Sequence, residues 1–166
     1  MGVELRPSGT GVIIIQARQD GDYNHDPALA VERMIEVTTS ADAWQTEYFL
    51  PAELADPAIS GPAADPDGDG LVNLVEYALG LQPRVGTTLG VPEVSADATD
   101  WIYTYTKPVD RSDLTYAVEV TTDLITWGIP AVTPELVATV DGIETWRVKQ
   151  PLSSTNVFFR LKVTQE

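Results

Sequence analysis

The stretches Trp101-Ile102-Tyr103-Thr104-Tyr105-Thr106 and Leu114-Thr115-Tyr116-Ala117-Val118-Glu119-Val120 decide the fold class. Both are dense in aromatic and β-branched residues and are bridged by the polar turn Lys107 to Asp113, which predicts two strands. Downstream, Leu136 to Val140 and Glu144 to Val148 flank Asp141-Gly142, a pair suited to the positive φ angles of a tight hairpin turn. Val157 to Val163 supplies a further strand. Five to six short strands over residues 84–166 predict a small C-terminal β-sandwich.

Residues 1–39 predict a second β element. Thr10 to Arg18 is apolar on both faces (Val12, Ile13, Ile14, Ile15), as expected of a strand covered on both sides. Val31 to Thr39 reads as its partner, across the turn-rich stretch Gln19 to Pro27. A two-stranded hairpin is marginal in water, so this one needs an apolar partner elsewhere.

Between the two β regions, residues 40–83 predict a short helical segment. Ser40 is placed to cap a helix through Ala43 to Leu50, and Pro51 to start a new turn through Ala55. Two prolines and a glycine argue against regular helix over Asp56 to Ala64. A further helix with Leu71, Leu74, Val75, Ala78 and Leu79 at helical spacing is expected to stop at Gly80 and Pro83.

The chain has 166 residues, 43% hydrophobic and 21% charged, with 10 Lys and Arg against 25 Asp and Glu and a net charge of −15. That balance disfavours nucleic acid and anionic membranes, which reward Lys and Arg, and it favours cations. The absence of cysteine excludes disulfides, thiolate metal sites and a cysteine nucleophile. One histidine, His25, leaves little for a Ser-His-Asp triad or a multi-histidine zinc site. The longest apolar run, Val12 to Ile15, is too short to span a bilayer, and the first residues lack the pattern of a signal peptide. Paired carboxylates for glycoside hydrolysis find no cleft-forming length of chain, so an enzyme is not expected.

One motif carries chemistry. Asp65-Pro66-Asp67-Gly68-Asp69-Gly70-Leu71-Val72-Asn73-Leu74-Val75-Glu76 fits the calcium-loop pattern D-x-[DN]-x-[DN]-G-x₅-E at every specified position. Ca²⁺ takes about six to eight oxygens at roughly 2.3–2.6 Å, so closely spaced carboxylates must converge on one point. Asp65, Asp67 and Asp69 alternate along a curling loop, and Gly70 permits its sharp turn. The Leu71 carbonyl supplies a further oxygen, Asn73 contributes directly or through water, and Glu76 chelates with both oxygens from the following helix. No Lys or Arg lies between Met34 and Arg84 to relieve the carboxylates, so a cation is expected to order the loop.

This loop resembles the half-EF-hand calcium loops of thrombospondin type 3 repeats and dockerin-like modules. Gly61 and Pro62 stand where a full EF-hand has its entering helix, which points to a static structural site rather than a sensor. The order Ala55-Asp56-Pro57, the acidic loop, then Glu76-Tyr77-Ala78-Leu79-Gly80-Leu81 is similar to a recurring C-terminal region of large secreted bacterial surface proteins. There a β-sandwich with a stretch like Tyr116 to Trp127 follows. Ala17 to Thr39 likewise looks like the last strands of a bacterial immunoglobulin-like repeat. The resemblance implies an immunoglobulin-like, mainly β chain in three parts: a hairpin over 1–39, a helical segment with the calcium loop over 40–83, and a sandwich over 84–166. It also implies an extracellular or cell-surface setting, with other domains of a longer protein as partners.

Three weaker features complete the reading. Asp20, Asp22, Asn24 and Asp26 alternate like a second calcium loop, but His25 stands where glycine belongs and Val31 where an acid belongs, so a solvated turn is expected. Trp101, Trp127 and Trp146 with Tyr103, Tyr105 and Tyr116 offer either a sugar-stacking face or core packing, of which core packing is expected. The alternatives to a calcium-binding structural module are accordingly a polysaccharide-binding module and a self-assembling subunit that donates its N-terminal hairpin.

Overall fold

The computed structural model describes residues 10–152 and 156–165. It is mainly β, with eight strands in three antiparallel sheets and four short helices among those residues. The chain divides into two compact units, Met1–Thr39 and Ser40–Glu166.

In the first unit, β1 (Gly11–Gln19) pairs with β2 (Ala28–Val37), Ile13 opposite Ile35 and Ile14 opposite Met34. The second strand therefore begins three residues before the expected Val31. Asp22 and His25 close the connecting turn, the Asp22 carboxylate accepting from the Asn24 amide and bonding the His25 Nδ1 at 2.8 Å each. These bonds hold the Asp22 carboxyl below its usual range.

The second unit opens with helices α1 (Ser40–Tyr48), α2 (Pro51–Leu54), α3 (Pro57–Ser60) and α4 (Asn73–Leu79). Ser40 is the first residue of α1 rather than a cap; its hydroxyl donates to the Asp110 carbonyl. The single turn α3 corrects the expectation of no helix across Asp56 to Ala64. Pro57 sits at its first position, where no amide is needed, and Asp56 accepts from the Ala58 amide at 3.0 Å. The expected helix from Leu71 begins two residues later, at Asn73.

Six strands follow. β3 (Glu93–Ala96), β4 (Asp100–Pro108), β7 (Ile143–Pro151) and β6 (Glu135–Val140) form one sheet in that order, and β5 (Leu114–Thr121) pairs with β8 (Phe158–Gln165) in another. The β6–β7 hairpin turns at Asp141 and Gly142, with φ of 50° and 78°. Four-residue β3, which carries no strong strand signal, is the strand that sequence patterning missed.

Tyr103 and Tyr105 of β4, Val148 of β7 and Val118 of β5 are buried together, with Phe159 and Leu161 of β8 packed against them. The Tyr103 and Phe159 rings stack at 5.3 Å between centroids, and those of Tyr105 and Tyr116 at 6.3 Å. This contact between two antiparallel sheets is consistent with a β-sandwich. Because Val148 is fully buried, Val148→Ala should lower stability by about 2 kcal/mol, through lost transfer energy and an unfilled cavity. Urea denaturation measures it, with an unchanged m-value expected.

A second cluster joins Trp44, Phe49, Tyr77, Ala78 and Leu114, so α1 and α4 pack against the start of β5. No helix among the described residues is long and apolar enough to cross a membrane.

Candidate metal centre

The loop before α4 curls because glycine occupies its left-handed positions: φ is 77° at Gly68 and 95° at Gly70. Each aspartate then binds amides of the loop itself. Asp65 accepts from the Gly68 and Gly70 amides at 2.9 and 3.0 Å, Asp67 from Asp69 at 3.1 Å, and Asp69 from Leu71 at 2.8 Å. One oxygen from each of Asp65, Asp67 and Asp69 lies within 4.8 Å of the others. Asp69 also accepts from the Thr87 amide at 2.9 Å, which ties the loop to the segment following the helix.

Glu76 lies on the first turn and a half of α4 and has no exposed surface, yet neither of its carboxylate oxygens has a hydrogen-bond partner. Burial raises its carboxyl to about 7, and the neighbouring charges of Asp67, Asp69 and Asp65 push the same way. Asp67 Oδ2 and Asn73 Oδ1 are also buried and unpartnered. Buried polar atoms are normally satisfied, so four orphaned oxygens in one dodecapeptide call for a compensating donor or cation. No Lys or Arg supplies it, since the nearest in sequence are Arg33 and Arg84, and Arg84 pairs with Glu53. The donor set is all oxygen, as a hard cation requires.

Both ends of α4 are fixed by the rest of the unit. Its N-cap residue, Val72, makes no side-chain cap; instead the Asn73 and Leu74 amides donate to the Ala64 and Pro62 carbonyls at 2.8 and 3.0 Å. The Asn73 side-chain amide donates to the Ile59 and Gly61 carbonyls at 2.9 and 2.8 Å. Gly61 must be glycine, because a Cβ there would stand 2.3 Å from the Pro57 carbonyl oxygen. At the far end Gly80 is left-handed and the Leu81 amide donates to the Glu76 carbonyl. Arg111 Nε and the Tyr116 hydroxyl donate to the last carbonyls, Tyr77 and Ala78, at 2.9 and 2.8 Å. The Tyr77 hydroxyl donates to Asp113 at 2.7 Å. The acidic loop is thus coupled through α4 to the β4–β5 turn.

Of the residues marked by the motif, Asp65, Asp67 and Asp69 converge, and Glu76 lies within reach of their charge. Asn73 is buried against the α3 turn, and Leu71 is half-buried beside the loop. The Ile59–Ala64 brace replaces an entering helix, and the motif gives no hint of it. Asp20 and Asp26 show no such convergence with Asp22 among the described residues. Tyr103 and Tyr105 face the core, as expected, while the Trp127 ring lies beneath the Arg160 guanidinium at 4.0 Å. Comparison with known proteins gives no match, whether to a family model, to a curated protein or to a solved structure.

Proposed function

We propose that the chain is a non-catalytic, calcium-binding structural module of an extracellular or cell-surface protein, built on an immunoglobulin-like β-sandwich. Buried Glu76, with both oxygens unpartnered and within reach of the charges of three converging aspartates, is the observation that carries this reading. Asp65, Asp67, Asp69, the Leu71 carbonyl, Asn73 and Glu76 would hold the ion. Calcium would supply positive charge to a desolvated acidic pocket; it would do no chemistry on a substrate. The protein's own residues do the rest. The amides of residues 68–71 orient the aspartates, the Ile59–Ala64 brace holds the start of α4, and Arg111 and Tyr116 hold its end against the sheets. Ordering the loop therefore orders the junction between helices and strands.

The polysaccharide-binding reading has less support, because the aromatic row that would stack on sugar is directed inward at Tyr103 and Tyr105.

Calorimetry and thermal melts with Ca²⁺ against EDTA test the proposal. With affinity expected in the weak extracellular range of about 10⁻⁴–10⁻³ M, Ca²⁺ at a hundredfold excess over Kd adds about 2.7 kcal/mol. For a chain of this length that raises Tm by roughly 5–11 °C. A melting temperature identical in calcium and in EDTA, with no heat of binding, would rule the proposal out.

A further inference from the structure

The three aspartates of the acidic loop are not held alike. Asp65 and Asp67 are half-buried and accept from amides of the loop itself. Asp69 is exposed, the setting in which a carboxylate has most rotamer freedom to lose when it binds an ion. Yet both of its oxygens are engaged: Oδ1 accepts from the Leu71 amide at 2.8 Å, and Oδ2 from the Thr87 amide at 2.9 Å. Each oxygen keeps a second lone pair, so the two bonds fix the carboxylate without using up its capacity for a cation.

Thr87 stands 18 residues further along the chain, beyond α4, on a segment anchored by contacts of its own. Pro83 is fully buried, and the Val85 amide donates to the Gln82 carbonyl at 3.3 Å. Arg84 pairs with Glu53 of α2 at 2.6 Å, its guanidinium 5.0 Å from the centre of the Phe49 ring. Past the contact with Asp69, the Thr87 hydroxyl accepts from the Leu89 amide at 3.0 Å. Gly86 lets the backbone come in close. A Cβ there would stand 3.2 Å from the Asp69 Cβ, inside the separation at which carbon atoms pack without repulsion. Asp69 could give way only by moving the carboxylate that Leu71 and Thr87 hold.

We infer that Gly86 and Thr87 are positioning residues of the metal centre: the Thr87 amide, brought in by the close approach of Gly86, presets the Asp69 carboxylate for the cation. The inference rests on the calcium reading proposed above and adds to it an outer part that the calcium-loop motif does not contain. The rotamer freedom of Asp69 is then lost on folding rather than on binding, which leaves more of the interaction for affinity. Groups that orient a ligand without touching the metal typically carry about ten- to hundredfold in affinity.

Calorimetric titration of the full chain with calcium chloride, parent and Gly86→Ala side by side, tests it. The expected result is calcium binding about tenfold weaker in the variant, with a melting temperature in EDTA close to that of the parent. Gly128→Ala is the control, because a Cβ at that position meets nothing within 4 Å, and its Kd should equal that of the parent. By linkage, calcium must tighten the Thr87 contact by the same factor, so the Thr87 amide of the parent should exchange about tenfold more slowly in calcium than in EDTA. A variant that binds calcium as tightly as the parent overturns the inference and leaves the calcium reading standing. A parent that binds no calcium removes that reading, and the inference with it. Should Gly86→Ala fail to fold, exchange at Thr87 decides: an amide that calcium does not protect overturns the inference.

Discussion

Glu76→Gln is expected to make the calcium-free protein more stable and to remove its response to calcium. In EDTA, Glu76 is a fully buried carboxylate whose oxygens have no donor, within reach of the charges of three further acids. Replacing it with a neutral amide of nearly the same shape removes a desolvated charge and its repulsion from Asp65, Asp67 and Asp69. The gain should be on the order of 2 kcal/mol. In calcium the order reverses. The substitution removes the bidentate donor, and most of the ligand-linked stabilisation of about 2.7 kcal/mol at hundredfold saturation disappears. Denaturant curves of both proteins in calcium and in EDTA therefore cross. If the variant were less stable than the parent in EDTA, Glu76 would have a favourable partner that the structure does not contain.

Asn73→Ala should behave in the opposite sense, destabilising the protein whether or not calcium is present. The side-chain amide is buried and donates to two main-chain carbonyls, Ile59 and Gly61, that would lose their partners. Two unsatisfied buried acceptors cost about 2–4 kcal/mol between them, a large fraction of the stability of a domain this size. The loss should be present in EDTA and larger in calcium, the excess measuring the contribution of Oδ1 to the ion. Hydrogen exchange at Leu74 locates the damage, since its amide donates to the Pro62 carbonyl of the same brace. A variant with full stability in EDTA would show that the Ile59–Ala64 segment holds α4 without the Asn73 side chain. The two substitutions, three residues apart, thus separate charge from scaffold.

The acidic loop was legible because its geometry is local. Alternating aspartates with glycine at positions 68 and 70 curl on their own amides, so spacing alone predicts that Asp65, Asp67 and Asp69 converge. The strands at Trp101 to Thr106 and Leu114 to Val120 were legible for a similar reason, since period-two patterning and β-branched content are properties of short segments. The α3 turn was missed because Pro57 and Gly61 read as breakers, whereas a one-turn helix has its proline at the start and its glycine just past the end. Strand β3 was missed because Glu93 to Ala96 has little intrinsic preference and is ordered only by pairing with β4.

Taken by itself, the amino-acid sequence determined the β-rich class, the sites of the tight turns and the cluster of oxygen donors, all set by interactions over a dozen residues or fewer. Only the tertiary structure decided what surrounds those donors. Burial of Glu76 without a partner, the grip of the Ile59 and Gly61 carbonyls on Asn73, and the clamp of Arg111 and Tyr116 on the end of α4 join residues 12 to 38 positions apart. Desolvation is a property of packing from all sides, and no linear pattern records which distant segments will exclude the water.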